Sequence, residues 1–439
     1  MWRVKFKTKL IMYIICITIF RLVVFFLTNP VICPDTQSYI DLAKNIVSFD
    51  FSGFNGLRTP GYSLILILSG FNLKITVLIQ MFFGIAISYL ITNIVYEFTK
   101  REYISLLASI LYSIFVPFLF FELTILSETT AAFFILLSFW GYIKLLKNKD
   151  RYLMRFLLIG ICTLLAVLTR PVYLVMAPLY AVYFILGFKA NKIKNGQSIK
   201  YMTVFALPIL IGVLGWSYVN LKYNDTFSFA TGRGFAAMEM AGEYIECASD
   251  DYPYNTIKEV YIRERDNNIR NGAPHIDTIW GITDELQEKT GFSYNELSKE
   301  VRKMCTQVML ENPNIYIKSV IRSMKNFWQT FGILIFTKSN TSTVIKHINI
   351  VQRGILILLQ IPFLFSPLIY FGKRKKLAHN RDVLLICSFV YILIVGISIL
   401  ISTIECSEGR FAMPTFPLLI ITTFILYYNI LGKPKVNEF

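Results

Sequence analysis

Charge is scarce in this chain. Only 16% of its 439 residues are Asp, Glu, Lys or Arg, against roughly 25% in an ordinary globular domain. Histidine is scarcer still. His275, His347 and His379 are far apart, which argues against a histidine-built metal site. The seven cysteines are scattered singly with no CxxC pair, so neither a zinc ribbon nor a dithiol redox motif is expected. Cys16, Cys162 and Cys387 sit in apolar runs and read as small buried hydrophobes. Cys33, Cys247, Cys305 and Cys406 fall in segments expected to face outward, where a disulfide is open but no pairing is specified. Acid is short relative to base, with 28 Asp and Glu against 44 Lys and Arg. That imbalance could signal a polyanionic partner, but no basic stripe interleaved with stacking aromatics is present, so nucleic acid is not expected as a partner.

What the chain has in abundance is apolar residues, 55% of the total. They come in blocks of about 18 to 22 residues, long enough at 1.5 Å per residue to cross ~30 Å of hydrocarbon. The blocks recur along the whole length, so a single signal peptide does not account for them. About ten spans are expected, over 10–28, 74–98, 104–121, 129–144, 153–169, 172–188, 201–220, 348–370, 383–402 and 411–431. The basic residues then fall into place. Arg3, Lys5, Lys7 and Lys9, the segments 147–151 and 189–200, Lys373 to Lys376, and Lys433 with Lys435 lie in the tails and alternate short loops. The opposite loops carry Asp35, Asp41, Asp50, Glu122, Glu128, Glu405 and Glu408. This alternation predicts a multi-pass cell-membrane protein with both termini cytoplasmic. The expected fold is therefore an all-α polytopic helix bundle bathed in membrane lipids.

Three parts are expected: a membrane module over 1–220, an external helical segment over 221–346 and a second membrane module over 347–439. The first external loop, 29–73, is too long for a turn. Tyr39, Ile40, Ala43, Ile46 and Val47 share one face of a helix over 36–47, with Asp35 or Thr36 as its N-cap, so this helix should lie in the interface plane. A second apolar piece, 61–68, is too short to span. In the larger segment Gly232, Gly234 and Gly242 mark a turn-rich start. Ser293 and Glu296 form a capping-box pattern, and Asn312-Pro313 ends one helix and starts another. The apolar run 327–336 reads as interfacial or re-entrant.

Ionisable groups inside the spans are few, Arg21 being the main one; polar residues gather instead where spans meet the external side. They are Pro34-Asp35-Thr-Gln-Ser-Tyr39, Leu57-Arg58-Thr-Pro-Gly-Tyr62, Ser127-Glu128 with Thr169-Arg170-Pro171, and Glu405-Cys-Ser-Glu408-Gly-Arg410-Phe-Ala-Met-Pro414. In this order they resemble the GT-C glycosyltransferases, nearest the bacterial enzymes akin to protein O-mannosyltransferases and aminoarabinose transferases. The resemblance implies a polyprenyl-phosphate-sugar donor, a lipid, glycan or protein acceptor, and inverting transfer on the external face with the catalytic residues in the first external loop. It makes Asp35 the general base and Glu128 a second acid. Arg58, Arg170 and Arg410 become partners of the donor phosphate, and Tyr62 and Glu405 further substrate contacts. Asp35 is followed by Thr36 and Gln37 rather than a paired acid, so no metal or other cofactor is expected, a divalent ion being the less favoured alternative. Each residue also has a plainer role open to it: a helix cap for Asp35, a solvated span end for Glu128, a lipid-headgroup anchor for Arg170 and Arg410, a turn for Arg58, and a salt bridge of Glu405 or Glu408 with Arg410. Arg233, Glu239 and Glu243 read as ordinary surface charge or as acceptor-selecting residues. The rival functions are a lipid-linked glycan ligase or polymerase, which should carry paired arginines and a histidine in the large loop, and a lipid-linked-sugar flippase, which should show helices broken at mid-membrane.

Overall fold

The computed structural model describes residues 2–147, 151–190, 194–329, 343–368 and 381–431. Among these residues the fold is all-helical, with a single isolated bridge between Val31 and Thr124. In chain order the helices are α1 Trp2–Leu27, α2 Pro34–Ser48, α3 Pro60–Leu68, α4 Leu73–Thr99, α5 Glu102–Ile114, α6 Val116–Leu123, α7 Glu128–Lys147 and α8 Tyr152–Thr169. There follow α9 Met176–Ala190, α10 Asn195–Asn224, α11 Arg233–Ala241, α12 Tyr254–Arg270, α13 Thr278–Gly281, α14 Thr283–Thr290, α15 Tyr294–Glu311 and α16 Pro313–Trp328. The last three are α17 Thr343–Leu364, α18 Arg381–Ile404 and α19 Phe416–Leu431.

Among the described residues, eight helical stretches are long and apolar enough to cross a membrane, and a ninth results if the bent pair α5 and α6 counts as one. The expected third span is thus not straight: α5 and α6 meet at 55°. The cause is Pro117, in the first turn of α6, which lacks an N–H and cannot continue a helix from the preceding turn. A break buried in apolar surroundings frees backbone groups that must find partners. Gln352 of α17 supplies both, accepting from the Val116 N–H at 2.7 Å and donating to the Ile114 carbonyl at 3.0 Å. The expected eighth span is described only in part. The apolar part of α17 is the shorter stretch Ile350–Leu364, and the end of the expected span, 369–370, lies outside the described residues.

Glu122 also differs from expectation. It is not in a loop but near the end of α6, fully buried, where its carboxylate accepts two hydrogen bonds from Arg21 of α1, both at 2.8 Å. The two residues satisfy each other's charge where water cannot. Gly84 of α4 makes room for the pair, since a Cβ at that position would lie 2.0 Å from a Glu122 carboxylate oxygen. Gln80, one helical turn earlier on α4, donates to the Glu122 and Thr124 carbonyls at 2.9 and 2.8 Å.

The short helices of the first loop form as expected, with one correction. The N-cap of α2 is Cys33, with Pro34 as its first helical residue. Thr36 accepts from the Cys33 N–H at 2.9 Å, so the Asp35 carboxylate is free of capping duty. Helices α11 to α15 form a unit with its own core, including Phe235, Met238, Ile257, Tyr261, Leu297 and Cys305. Ser293 and Glu296 make the expected capping box at the start of α15, and Asn312 separates α15 from α16. Helix α16 then returns to the membrane helices, where the Tyr316 hydroxyl donates to the Thr403 carbonyl at 2.9 Å. The run 327–336 falls mostly outside the described residues. All seven cysteines are free thiols.

Candidate functional site: an arginine cluster at one end of the bundle

Connectivity sets the stage. The end of α1, the starts of α7 and α19, and the ends of α8 and α18 share one end of the bundle with α2, α3 and the α11–α15 unit. The opposite end carries Lys100 and Arg101 after α4, and Lys147 of α7 paired with Asp382 of α18 at 2.9 Å. Each candidate residue comes from a segment whose local chemistry holds it at the first of these ends.

Asp35 sits in the first turn of α2, where the helix N-terminus favours a negative charge. Its two oxygens meet Arg58 at 2.8 Å and Arg410 at 3.1 Å. Burial alone would push the carboxyl up, but the Arg58 and Arg410 guanidiniums more than offset it and hold Asp35 below the usual carboxylate value.

Arg58 precedes the Thr59 cap of α3. Its Nε donates to Ser38 at 2.8 Å, and its guanidinium lies over the Tyr39 ring, 4.7 Å from the centroid. Tyr39 is fixed in turn by donating to Ser127 at 3.2 Å and by an edge contact with Tyr62 at 4.9 Å.

Gly61, in the first turn of α3, lets that helix touch the last turn of α8. A Cβ there would stand 2.4 Å from the Leu168 carbonyl carbon and the Thr169 nitrogen. The next residue is Arg170, which Pro171 restricts to an extended backbone. Arg170 pairs with Glu128 at 2.7 Å, and Glu128 is only 2% exposed, so it serves to anchor that arginine. Phe411 has Arg170 over its ring at 5.3 Å and Arg410 at 5.4 Å.

Arg410 also meets Glu408 at 2.9 Å, the salt bridge expected for that stretch. The segment just before it is pinned from α16: Ser323 donates to the Glu405 carbonyl at 3.0 Å and accepts from the Ser407 N–H at 2.7 Å. Glu405 faces Arg170, Arg410, Glu408 and Arg58, and its carboxyl is raised by burial and by Glu408 against the pull of the arginines. Across from it Glu239 of α11 accepts from the Trp280 indole at 2.8 Å. Burial, then the charges of Glu405 and Glu408, push the Glu239 carboxyl well above its ordinary value.

Six of the seven residues singled out in the sequence thus come together: Asp35, Arg58, Glu128, Arg170, Glu405 and Arg410. The seventh, Tyr62, stands behind the cluster. It is fully buried, and its hydroxyl donates to Gln80 at 2.7 Å, so it supports Tyr39 rather than facing a ligand. Arg233 is exposed, and Glu243 binds Arg322 of α16. Sequence reading missed Phe411, although its place beside Arg410 was a signal. It also undervalued Glu239, which no local pattern ties to Glu405.

The cluster can hold an anion. Asp35, Arg58, Arg170 and Arg410 are each between 14% and 31% exposed, so solvent reaches them although protein surrounds them. Three guanidiniums with planar forks, gathered in a site of reduced dielectric, suit phosphate oxygens. Among the described residues no three His, Cys, Asp or Glu side chains converge as metal ligands. No family model, curated protein or solved structure matches the chain.

Proposed function

We propose that the chain is a membrane glycosyltransferase of the GT-C type that moves a sugar from a polyprenyl-phosphate donor to an acceptor on the external side of the membrane, with inversion. One observation carries the reading. Asp35, Arg58, Arg170 and Arg410 come from four distant segments and meet at one end of the long apolar helices. A lipid phosphate is an anion delivered to that level of the membrane. The external assignment rests on the lysine and arginine gathered at the opposite end.

The arrangement gives a mechanism. The donor phosphate draws Arg58 and Arg410 from Asp35 onto its own oxygens, where Arg170 joins them. Asp35, freed of two cations, becomes a better proton acceptor. The acceptor oxygen attacks the anomeric carbon from the face opposite the phosphate and forms the new C–O bond. The old bond to phosphate oxygen breaks, its electron pair leaving with the lipid phosphate, while the acceptor proton passes to Asp35. The arginines stabilise the charge that gathers on the departing group. Donor binding before acceptor activation is a consequence.

A transport reading also has an observation behind it: the break between α5 and α6 lies near the buried Arg21–Glu122 pair, and broken helices with internal charges serve transporters. Reconstituted protein supplied with a labelled polyprenyl-phosphoryl sugar and membrane-extract acceptors separates the two. Label appearing in a new glycosidic bond, and lost in Asp35→Ala, supports transfer. Movement of the lipid across the bilayer with no new bond, or full transfer by Asp35→Ala, overturns it.

A further inference from the structure

The carboxylates of the cluster are not equivalent. Asp35 is held by Arg58 and Arg410, Glu128 by Arg170, and Glu408 by Arg410. Glu239 has the Trp280 indole and the Cys406 N–H. Glu405 differs. Its main-chain carbonyl accepts from Ser323, but no hydrogen bond or ion pair from a described residue reaches its carboxylate. The three arginines are already balanced by Asp35, Glu128 and Glu408, so a donor phosphate adds a negative charge that nothing else in the cluster cancels. Glu405 and Glu239 are the two carboxylates without a cation of their own, and Glu405 is the one that faces Arg58, Arg170 and Arg410, so it is the one beside an arriving phosphate that must take up a proton.

We infer that Glu405 enters the reaction as a neutral carboxylic acid that donates its proton to the departing phosphate, opposite Asp35, which takes the proton of the acceptor. This rests on the donor reading above. The step balances: as the bond from the anomeric carbon to phosphate oxygen breaks, that oxygen keeps the electron pair and receives the Glu405 proton. The turnover ends with Asp35 protonated and Glu405 ionised, and exchange with solvent restores both. The surroundings of the two groups support the division. Arginines on both oxygens favour ionised Asp35, whereas burial and Glu408 of its own segment favour neutral Glu405 over the opposing pull of Arg170, Arg410 and Arg58. Two carboxyls driven apart in this way mark a base and an acid.

The test is binding, which needs no acceptor. The probe is a polyprenyl-phosphoryl hexose, a phosphodiester without the second phosphate ionisation near about pH 6, offered to the full chain in lipid nanodiscs from about pH 5 to about pH 9. Wild type is expected to bind about tenfold more weakly at the alkaline end, equivalent to about 1.4 kcal/mol, because ionised Glu405 repels the phosphate. Glu405→Gln, whose amide still donates, should bind at all pH values as wild type does at the acidic end. Glu239→Gln should keep both the amplitude and the midpoint close to those of wild type, since burial and the neighbouring carboxylates already favour a neutral Glu239. An unchanged pH profile in Glu405→Gln overturns the inference, as does a profile flattened by Glu239→Gln alone. Wild type that fails to bind the probe at any pH overturns the donor reading itself, a distinct result.

Discussion

Replacing Arg21 with methionine tests whether the buried pair holds the helices together. Arg21 and Glu122 are 1% and 0% exposed and joined by two hydrogen bonds of 2.8 Å. Charge centres about 4 Å apart at an effective dielectric near 20 attract by about 4 kcal/mol. Their desolvation opposes this, so the pair adds little net stability; the imbalance after truncation matters more. Arg21→Met leaves a carboxylate with no counter-ion and no water, and should destabilise the protein by about 3–5 kcal/mol. Gly84→Ala should do similar damage, because its new carbon would lie 2.0 Å from a Glu122 oxygen and 2.4 Å from its carboxyl carbon. Removing both charges, as in Arg21→Met with Glu122→Met, should bring stability back to wild type or somewhat above it. The assay is thermal unfolding of each variant in one detergent, followed by intrinsic tryptophan fluorescence. A single variant as stable as wild type, or a double variant that loses the sum of the two single losses, would refute the reasoning. The double variant should also still bind lipid phosphate, since the pair lies away from the arginine cluster. A folded double variant that no longer works would move the balance towards transport.

Two other expectations follow from the site. Gly61→Val should push α3 off the end of α8, separate Arg58 from Arg170, and weaken lipid-phosphate binding by about tenfold or more, equivalent to about 1.4 kcal/mol; unchanged affinity in a folded variant would show that this contact does not place the arginines. Asp35 titrates below its ordinary value despite burial, because Arg58 and Arg410 hold it ionised. Its contribution to stability is therefore complete above the unfolded value of about 3.9 and is lost as pH falls through the lower folded value. The gap in unfolding temperature between wild type and Asp35→Asn should stay constant above about pH 5 and close in stronger acid, and a gap independent of pH would contradict the paired geometry.

The local and the long-range parts of this protein were legible to different degrees. Apolar length alone placed most of the membrane helices, because a helix that must satisfy its backbone in hydrocarbon needs a minimum run. Local rules placed the start of α15 at Ser293 and Glu296, the change from α15 to α16 at Asn312-Pro313, and the short helices α2 and α3. Alternating basic loops put Asp35, Arg58, Arg170, Glu405 and Arg410 at one end of the bundle.

What only the tertiary structure decided is which of these residues touch. Arg21 and Glu122 are 101 positions apart, and Arg410 and Asp35 are 375 apart; no periodicity or spacing links such pairs, because helix packing alone brings them together. The break at Pro117 falls inside the expected third span, and its relief by Gln352 depends on α17 lying against it. An arginine inside a span was itself a signal that an acid must be found for it. That the acid would be Glu122, seated over Gly84, was set by the bundle, as was the isolation of Glu405 from any cation of its own.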